Sequence, residues 1–170
     1  TVCPTKPGQT ECQAADKAGT EGPGTRVDFI VRVPEGVGLT GRTVNGAVQA
    51  ESLRSDIEAY TVNGQVRVST TGSVQARTVN GSITASLQNP FWRKAPKFST
   101  VNGAITLTLP AASNTFVRAE TRNGKVLTDF ASLRGRISDQ RVEGKIGAGS
   151  SATPLTLQTI NGTIQIKRIL

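Results

Sequence analysis

The chain has no histidine and no methionine, and only 4% of its 170 residues are aromatic. Without histidine it cannot form a Ser-His-Asp or Cys-His nucleophile system or an imidazole metal site, and it lacks the side chain that titrates near neutral pH. The composition therefore predicts a protein that is not an enzyme and that needs neither a metal nor another cofactor. No run approaches about 18 apolar residues, so no membrane-spanning helix is predicted.

Only two cysteines occur, Cys3 and Cys12, with eight residues between them in a stretch rich in Gly, Pro and Thr. A disulfide between them would close a short loop and stabilise it by roughly 2–3 kcal/mol. Disulfides persist in oxidising compartments, so this pair favours an exported protein of the periplasm, cell surface or medium, the alternative being two unpaired thiols. We therefore expect a disulfide-held loop or linker over 1–25 and a domain of β repeats over 26–170.

Acidic residues are scarcer than basic ones, with 12 against 20 and a net charge of +8. The basic residues are dispersed along the sequence, the aromatic side chains that stack on bases are few, and no nucleic-acid motif occurs, so nucleic acid is not an expected partner. Attraction to anionic polymers or lipid head groups of a cell envelope is the expected consequence, and it would weaken with salt. The alternative is that the charge only confers solubility.

A repeat organises the chain. The phrase Thr-Val-Asn-Gly occurs four times and degenerate copies follow, including Val142-Glu143-Gly144. Counting Glu143 as an Asn position, successive spacings are 18, 17, 22, 21, 20 and 18 residues. The Asn-Gly pairs are Asn45-Gly46, Asn63-Gly64, Asn80-Gly81, Asn102-Gly103, Asn123-Gly124 and Asn161-Gly162.

Aliphatic residues alternate on both sides of each Asn-Gly pair, as Ala76 before Asn80 and Ile83 and Ala85 after it illustrate. A period of two predicts strands with one buried face, so each repeat is a strand, an Asn-Gly turn and a second strand. The segment Arg26 to Val33 alternates in the same way and predicts a further strand. Asn-Gly tolerates positive φ at both positions, which suits a tight turn.

Two architectures satisfy this pattern. Each Asn-Gly pair could close a two-residue hairpin in an antiparallel sheet, with Thr78 opposite Ile83. Alternatively each pair is a corner of a parallel β-helix, or β-solenoid, in which equivalent residues of successive coils lie about 4.8 Å apart. The near-constant period favours an all-β solenoid of about seven short coils in chain order, with the repeat threonines pointing inward.

The TVNG repeats with their flanking aliphatic residues, the preceding RVDFIVRVPEGV and the closing LTLQTINGTIQIKRI resemble a family of bacterial adhesin-like proteins of unknown function. The resemblance extends from about residue 2 to residue 170. It implies a β-helix-like repeat domain, exported or associated with the cell envelope, and it supplies no catalytic motif or known ligand.

The insertion Gln88 to Lys97 carries the strongest candidate for a ligand site, because it contains the only Trp. Aromatic side chains beside cations can stack on sugar rings or attract anionic polymers. The alternative is that the two aromatic side chains cover the side of the domain. The candidate residues are Phe91, Trp92, Arg93, Lys94 and Lys97.

These observations predict a non-enzymatic structural or interaction module that binds envelope or host glycans, anionic polymers or a protein partner. A polysaccharide-processing enzyme on a β-helix scaffold is one alternative. It requires paired carboxylates, and the only close pair, Asp56 and Glu58, is expected to be solvated surface charge. A self-assembling scaffold is the other alternative, because the last coil ends in the apolar residues Ile164, Ile166, Ile169 and Leu170.

Overall fold

The protein is described here by a computed structural model that covers residues 28–148 and 153–169. This part of the chain is all-β, and no helix in it has the length and apolar character needed to cross a membrane. Cys3, Cys12 and the expected loop over 1–25 lie outside the described residues. The strands are β1 (Leu39–Arg42), β2 (Val48–Leu53), β3 (Ile57–Tyr60), β4 (Val66–Thr70), β5 (Val74–Arg77), β6 (Ile83–Leu87), β7 (Lys97–Ser99), β8 (Ile105–Pro110), β9 (Thr115–Asn123), β10 (Val126–Thr128), β11 (Arg134–Ile137), β12 (Arg141–Ile146), β13 (Pro154–Asn161) and β14 (Ile164–Ile169).

The strands form two open sheets. Sheet 1 has eight strands in the order β1-β3-β5-β7-β13-β9-β12-β11, and sheet 2 has six in the order β10-β14-β8-β6-β4-β2. The two strands that flank an Asn-Gly pair belong to different sheets, so the antiparallel hairpin alternative is wrong for these turns. Strands of neighbouring repeats pair in parallel instead, as β5 does with β3 and β7.

Equivalent residues of neighbouring repeats lie side by side, as the period predicts. In sheet 2, Ile83 pairs with Val66 on one side and with Ile105 on the other. Alternate positions point between the sheets and are buried, which confirms the expected inward face of these strands. The core includes Ile57, Ala59, Val66, Val74, Ala76, Ile83, Ala85, Phe98, Ile105, Leu107, Val117, Ala119, Leu155, Leu157, Ile164 and Ile166.

The spatial order of the repeats in the sheets differs from their order in the chain. The last repeat, β13 with β14, lies between the fourth repeat (β7 with β8) and the fifth (β9 with β10). The expectation that Ile164 and Ile166 form an apolar end is therefore wrong, because β14 is hydrogen-bonded to β8 on one side and β10 on the other.

The expected repeat at Glu143 is also wrong. Glu143 lies inside β12, which runs antiparallel to both β9 and β11. A hairpin of β11 and β12 thus ends sheet 1 where a further parallel repeat was expected. The physical reason is that Val142 and Gly144 continue the alternation of an extended strand beside β9, so no turn follows Glu143.

The repeat threonines point inward, as expected, and five of the six make the same hydrogen bond, the exception being Thr43 in the first repeat. The Thr78 hydroxyl, 1% exposed, donates to the carbonyl oxygen of Gly64 at 3.1 Å. The last repeat follows the same rule with its neighbours in space, since Thr159 donates to Gly103 and Thr121 donates to Gly162. Each of these hydrogen bonds pairs a buried hydroxyl with a carbonyl group of the adjacent repeat, so neither polar group is left without a partner.

The repeat asparagines form a continuous ladder on the surface. Each side-chain amide donates to the amide oxygen of the next asparagine, as Asn80 does to Asn63 at 2.9 Å. Five such bonds of 2.7–2.9 Å connect six residues in the spatial order Asn45, Asn63, Asn80, Asn102, Asn161 and Asn123. Identical side chains at a repeat of about 4.8 Å pair in this way because the amide is both donor and acceptor.

The positive φ expected at the repeat glycines occurs at Gly46 (156°) and Gly162 (154°) and not at the other four. No repeat asparagine has a positive φ, since Ser52 is the only non-glycine residue with one in the described part of the chain. Gly81 is required instead by a close approach of backbones: a Cβ at Gly81 would lie 1.9 Å from the carbonyl oxygen of Gly64.

The chain before β1 differs from the expected strand at Arg26 to Val33. Residues 28–34 form no strand, and Phe29, Ile30 and Val31 are 70%, 95% and 47% exposed. The alternation of apolar residues in this segment therefore does not produce a strand with a buried face among the described residues.

Candidate functional site

The insertion between β6 and β7 folds back onto the turns that precede β1, β3 and β5. Its backbone is fixed there by two side-chain contacts: the Lys94 N–H donates to Ser73 Oγ at 3.2 Å, and the Thr153 hydroxyl donates to the Trp92 carbonyl oxygen at 3.2 Å. Trp92 is 8% exposed and belongs to the core, whereas Phe91 is 71% exposed. One aromatic side chain thus covers the domain, and the other is available at the surface.

A groove forms where the insertion meets these turns. It brings together four of the five predicted ligand-binding residues, Phe91, Trp92, Arg93 and Lys94. The fifth, Lys97, begins β7 and lies outside the groove. The other lining residues are Gly36, Gly38, Arg54, Ser55, Asp56, Thr71, Gly72, Ser73 and Asn89.

The polar groups of the groove are mostly engaged with one another. The Lys94 ammonium lies 3.6 Å from the Asp56 carboxylate, whose other oxygen accepts the Ser73 N–H at 2.9 Å. Ser55 Oγ and Trp92 Nε1 are buried without a hydrogen-bond partner among the described residues. Both atoms are shielded from solvent, so a ligand here would contact Phe91 and the cations at the rim.

Asp56 and Glu58 lie in different surroundings. Asp56 is engaged in the groove by Lys94 and Ser73, whereas Glu58 occupies an outward position of β3. In residues 28–148 and 153–169, no group of three His, Cys, Asp or Glu side chains is placed to hold a metal ion.

A second candidate surface is the outer face of sheet 1, which the sequence did not reveal. The register places the outward side chains of its eight strands in continuous rows, such as Arg42, Tyr60 and Arg77 on β1, β3 and β5. Nine of these side chains are basic and three are acidic, which gives the face a formal charge of +6. The basic ones are Arg42, Arg77, Lys97, Arg118, Arg122, Arg134, Arg136, Arg141 and Lys145, and the acidic ones are Glu58, Glu120 and Glu143.

The outer face of sheet 2 differs sharply in charge. Its outward positions carry two basic side chains, Arg67 and Lys167, and one acidic side chain, Glu51. The others are uncharged and include Gln49, Ser69, Thr84, Ser86, Thr106, Thr108, Pro110, Leu127, Gln165 and Ile169. The basic charge of the described chain is therefore concentrated on one of two opposite faces.

The middle of the basic face holds a shallow depression. Its lining includes Tyr60, Arg77 and Lys97, together with the amide side chains of Gln75 and Gln158. The Arg42 guanidinium lies 5.0 Å from the centre of the Tyr60 ring, within the range of a cation–π contact. Arg77 and Lys97 take part in no ion pair among the described residues, so their charges are available to an anionic ligand.

Toward β12 the cations of this face are partly neutralised. Glu143 accepts hydrogen bonds from Arg118 at 2.6 Å and from Arg141 at 3.0 Å. These bonds, the one from Arg118 first, hold the pKa of Glu143 below its usual range. Their stabilising effect is present at neutral pH and is lost only as the pH falls through that lowered pKa.

Sequence reasoning missed this surface because its members are far apart in the chain. Arg77 and Lys97 lie on neighbouring strands although twenty positions separate them. The available signal was the outward position just before each repeat threonine, occupied by Arg42, Tyr60 and Arg77 in the first three repeats. Aligning the repeats by strand, rather than counting charges along the chain, would have identified a basic row.

No protein-family model matches the chain, and comparisons with curated proteins and with solved structures also yield no match.

Proposed function

We propose that the chain is a non-enzymatic, adhesin-like interaction module of a cell envelope, which binds an anionic polymer such as an acidic polysaccharide across the outer face of sheet 1. The observation that carries the proposal is the formal charge of +6 on this face, against +1 on the opposite face. We further propose that the two sheets are the faces of a parallel β-solenoid. The alternation of the chain between sheets and the parallel register of the repeats support this.

The location in the envelope is also part of the proposal. It rests on the resemblance to adhesin-like proteins and on the expected disulfide between Cys3 and Cys12. A flat row of cations suits an extended polymer better than a compact ligand. Cations on neighbouring strands are separated by the distance between the strands, so each can contact a different acidic group along the polymer.

The central test removes two adjacent cations, Arg77→Ala with Lys97→Ala. Both side chains are exposed and unpaired, so folding should be unaffected, and binding to an acidic polysaccharide at about 50 mM salt should weaken about tenfold. The matched control is Arg67→Ala with Lys167→Ala on sheet 2, for which we expect less than a twofold change. Binding is measured by calorimetry or interferometry from about 0.05 to 0.5 M salt, with neutral polysaccharides in the same panel.

Three results would contradict this assignment. Equal losses of affinity in the two double variants would show that only the overall charge of the protein matters. Tighter binding to single-stranded nucleic acid than to the acidic polysaccharide would identify nucleic acid as the partner. If Phe91→Ala abolishes binding to a neutral glycan while the double variant on sheet 1 leaves it intact, the ligand site is the groove at the insertion.

A second prediction concerns Glu143, which neutralises part of the same face. Glu143→Gln removes a negative charge and releases Arg118 and Arg141, so affinity for an acidic polysaccharide should rise about two- to threefold at low salt. Glu51→Gln makes the same charge change on sheet 2 and should have little effect. Titrations at low and high salt check this, since the gain should disappear near 0.5 M salt; an equal gain in both variants would contradict a local effect.

A further inference from the structure

The depression in the middle of the basic face has room for a small ligand unit. Its volume is about 220 Å³, below the roughly 300–1,000 Å³ of pockets that enclose a drug-sized ligand. Its lining runs from Tyr60 on β3 across β5 and β7 to Gln158 on β13, and these four strands are neighbours in sheet 1. One unit of a polymer can therefore enter the depression while the adjoining units remain on the flat face.

Tyr60 is the aromatic wall of the depression. The Arg42 guanidinium reaches its ring from β1, a strand that contributes nothing to the lining, and lies 5.0 Å from the ring centre. The depression lies on the other side of Tyr60, toward β5. A tyrosine side chain offers an apolar ring and a hydroxyl, which match the C–H groups and the hydroxyls of a sugar ring.

Two cations border the depression at fixed positions relative to this ring. Arg77 is the register partner of Tyr60, so their backbones lie one strand spacing apart, about 4.8 Å. Lys97 lies on the next strand and two positions along it, which places its backbone about 8 Å from that of Arg77. Long side chains from these positions can converge on one anionic group that is attached directly to a ring over Tyr60.

Uncharged hydrogen-bonding groups complete the lining. Gln75 is the register partner of Lys97, and Gln158 is the register partner of Ser99. In the part of the chain that the structure describes, the amides of Gln75 and Gln158 make no side-chain hydrogen bond. Each amide therefore offers two N–H donors and a carbonyl acceptor. These groups suit a ligand unit that carries hydroxyls as well as a charge.

Two carboxylates flank the depression just outside its lining. Glu58 is the register partner of Gln75 on one side, and Glu120 is the register partner of Gln158 on the other. Each repels further negative charge close to the depression. The arrangement therefore favours a unit with one carboxylate over a unit with several sulfate or phosphate groups.

We propose that the depression binds one hexuronate unit, a six-membered sugar ring with a single carboxylate, and this inference rests on the proposed binding of an acidic polysaccharide to the same face. The sugar ring packs on Tyr60. The planar guanidinium of Arg77 binds both carboxylate oxygens, and Lys97 adds a second positive charge. Gln75 and Gln158 hydrogen-bond the hydroxyls. The depression thus selects the type of sugar, whereas the other cations of the face contribute affinity that depends on salt.

The test uses variants that leave the formal charge of the face unchanged. Tyr60→Leu and Gln158→Leu should each weaken binding of a galacturonate tetramer at least about fivefold at about 0.15 M salt, and should change binding of a sulfated dextran by less than about twofold. The matched controls are Phe116→Leu, at an exposed aromatic residue of the same face outside the depression, and Gln165→Leu on sheet 2. Neither control should change binding of the tetramer. Calorimetry measures the affinities, and circular dichroism and melting temperature check folding.

A second ligand separates the contribution of the carboxylate from that of the ring. The fully methyl-esterified tetramer keeps the rings and the hydroxyls but has no charge, and it should bind at least about tenfold more weakly than the galacturonate tetramer. Equal affinities for the two tetramers would overturn the proposal.

The variants also distinguish a failure of this inference from a failure of the proposed function. Unchanged binding of the galacturonate tetramer in both Tyr60→Leu and Gln158→Leu would overturn the hexuronate site. If Arg77→Ala with Lys97→Ala still weakens polymer binding in that case, the proposed function stands. If the double variant also leaves polymer binding unchanged, both proposals are wrong.

Discussion

Gly81→Ala is expected to destabilise the fold by at least about 3–4 kcal/mol, a large part of the net stability of a typical domain. The new Cβ would lie 1.9 Å from the Gly64 carbonyl oxygen and 2.6 Å from its carbonyl carbon. Real Cβ contacts do not approach this closely, so one backbone must move away from the other.

That movement is opposed by the hydrogen bonds that hold the two repeats together. The Gly64 N–H donates to Asn80 O in the repeat of Gly81 at 3.0 Å, and the Gly81 N–H connects that repeat to the following one by donating to Asn102 O, also at 3.0 Å. The Gly64 carbonyl also accepts the Thr78 hydroxyl. Separating the backbones therefore breaks the Thr and Asn ladders on both sides of the substitution, each bond contributing about 1 kcal/mol.

Gly38→Ala is the matched control for this substitution. Its Cβ would meet only the Asp56 carbonyl oxygen at 3.7 Å, an ordinary contact, so stability should change by less than about 0.5 kcal/mol. Chemical denaturation of both variants measures the difference. Similar stabilities for Gly81→Ala and Gly38→Ala would contradict a close approach of backbones at the repeat glycine.

The sequence predicted the parts of this fold that depend on local periodicity. Alternation around Ile83 and Ala85 specified which side chains are buried, and the constant spacing specified that Asn63, Asn80 and Asn102 lie side by side. It also supported an inward position for the threonines, since they share a face with the aliphatic residues. These features follow from the two-residue period of a strand and need no knowledge of distant contacts.

The order of the repeats was not predictable in the same way. Asn123 and Asn161 stand in nearly the same local sequence, so either could lie beside Asn102, and only Asn161 does. The decision is made by tertiary pairing: the β11–β12 hairpin occupies the free side of β9 and leaves its other side to β13. The basic face escaped prediction for a related reason, because a charge pattern across strands requires the register.

Removing the last repeat, residues 153–170, is expected to abolish cooperative unfolding altogether. In the sheets of the described residues, β13 lies between β7 and β9, and β14 lies between β8 and β10. Deletion therefore divides each sheet into two parts. It also removes the buried side chains of Leu155, Leu157, Ile164 and Ile166, each contributing about 1.5–3 kcal/mol, which together rival the net stability of a domain.

Removing the first repeat, residues 1–55, is the matched control. It takes one edge strand from each sheet, β1 and β2, and leaves both sheets continuous. If neighbouring repeats contribute additively, this variant should keep a cooperative thermal transition with a lower midpoint. Circular dichroism melting and hydrogen exchange compare the two deletions.

Refolding of the intact chain should report the same topology. The Asn161–Asn102 bond spans 59 residues and the Asn123–Asn161 bond spans 38, whereas neighbouring asparagines among the first four repeats are 17 to 22 apart. Closing such long loops slows folding, so protection of β7 to β10 should appear only after β13 and β14 have inserted. If the chain without residues 153–170 melts as cooperatively as the chain without 1–55, the last repeat is a peripheral addition, and the spatial order β7-β13-β9 is wrong.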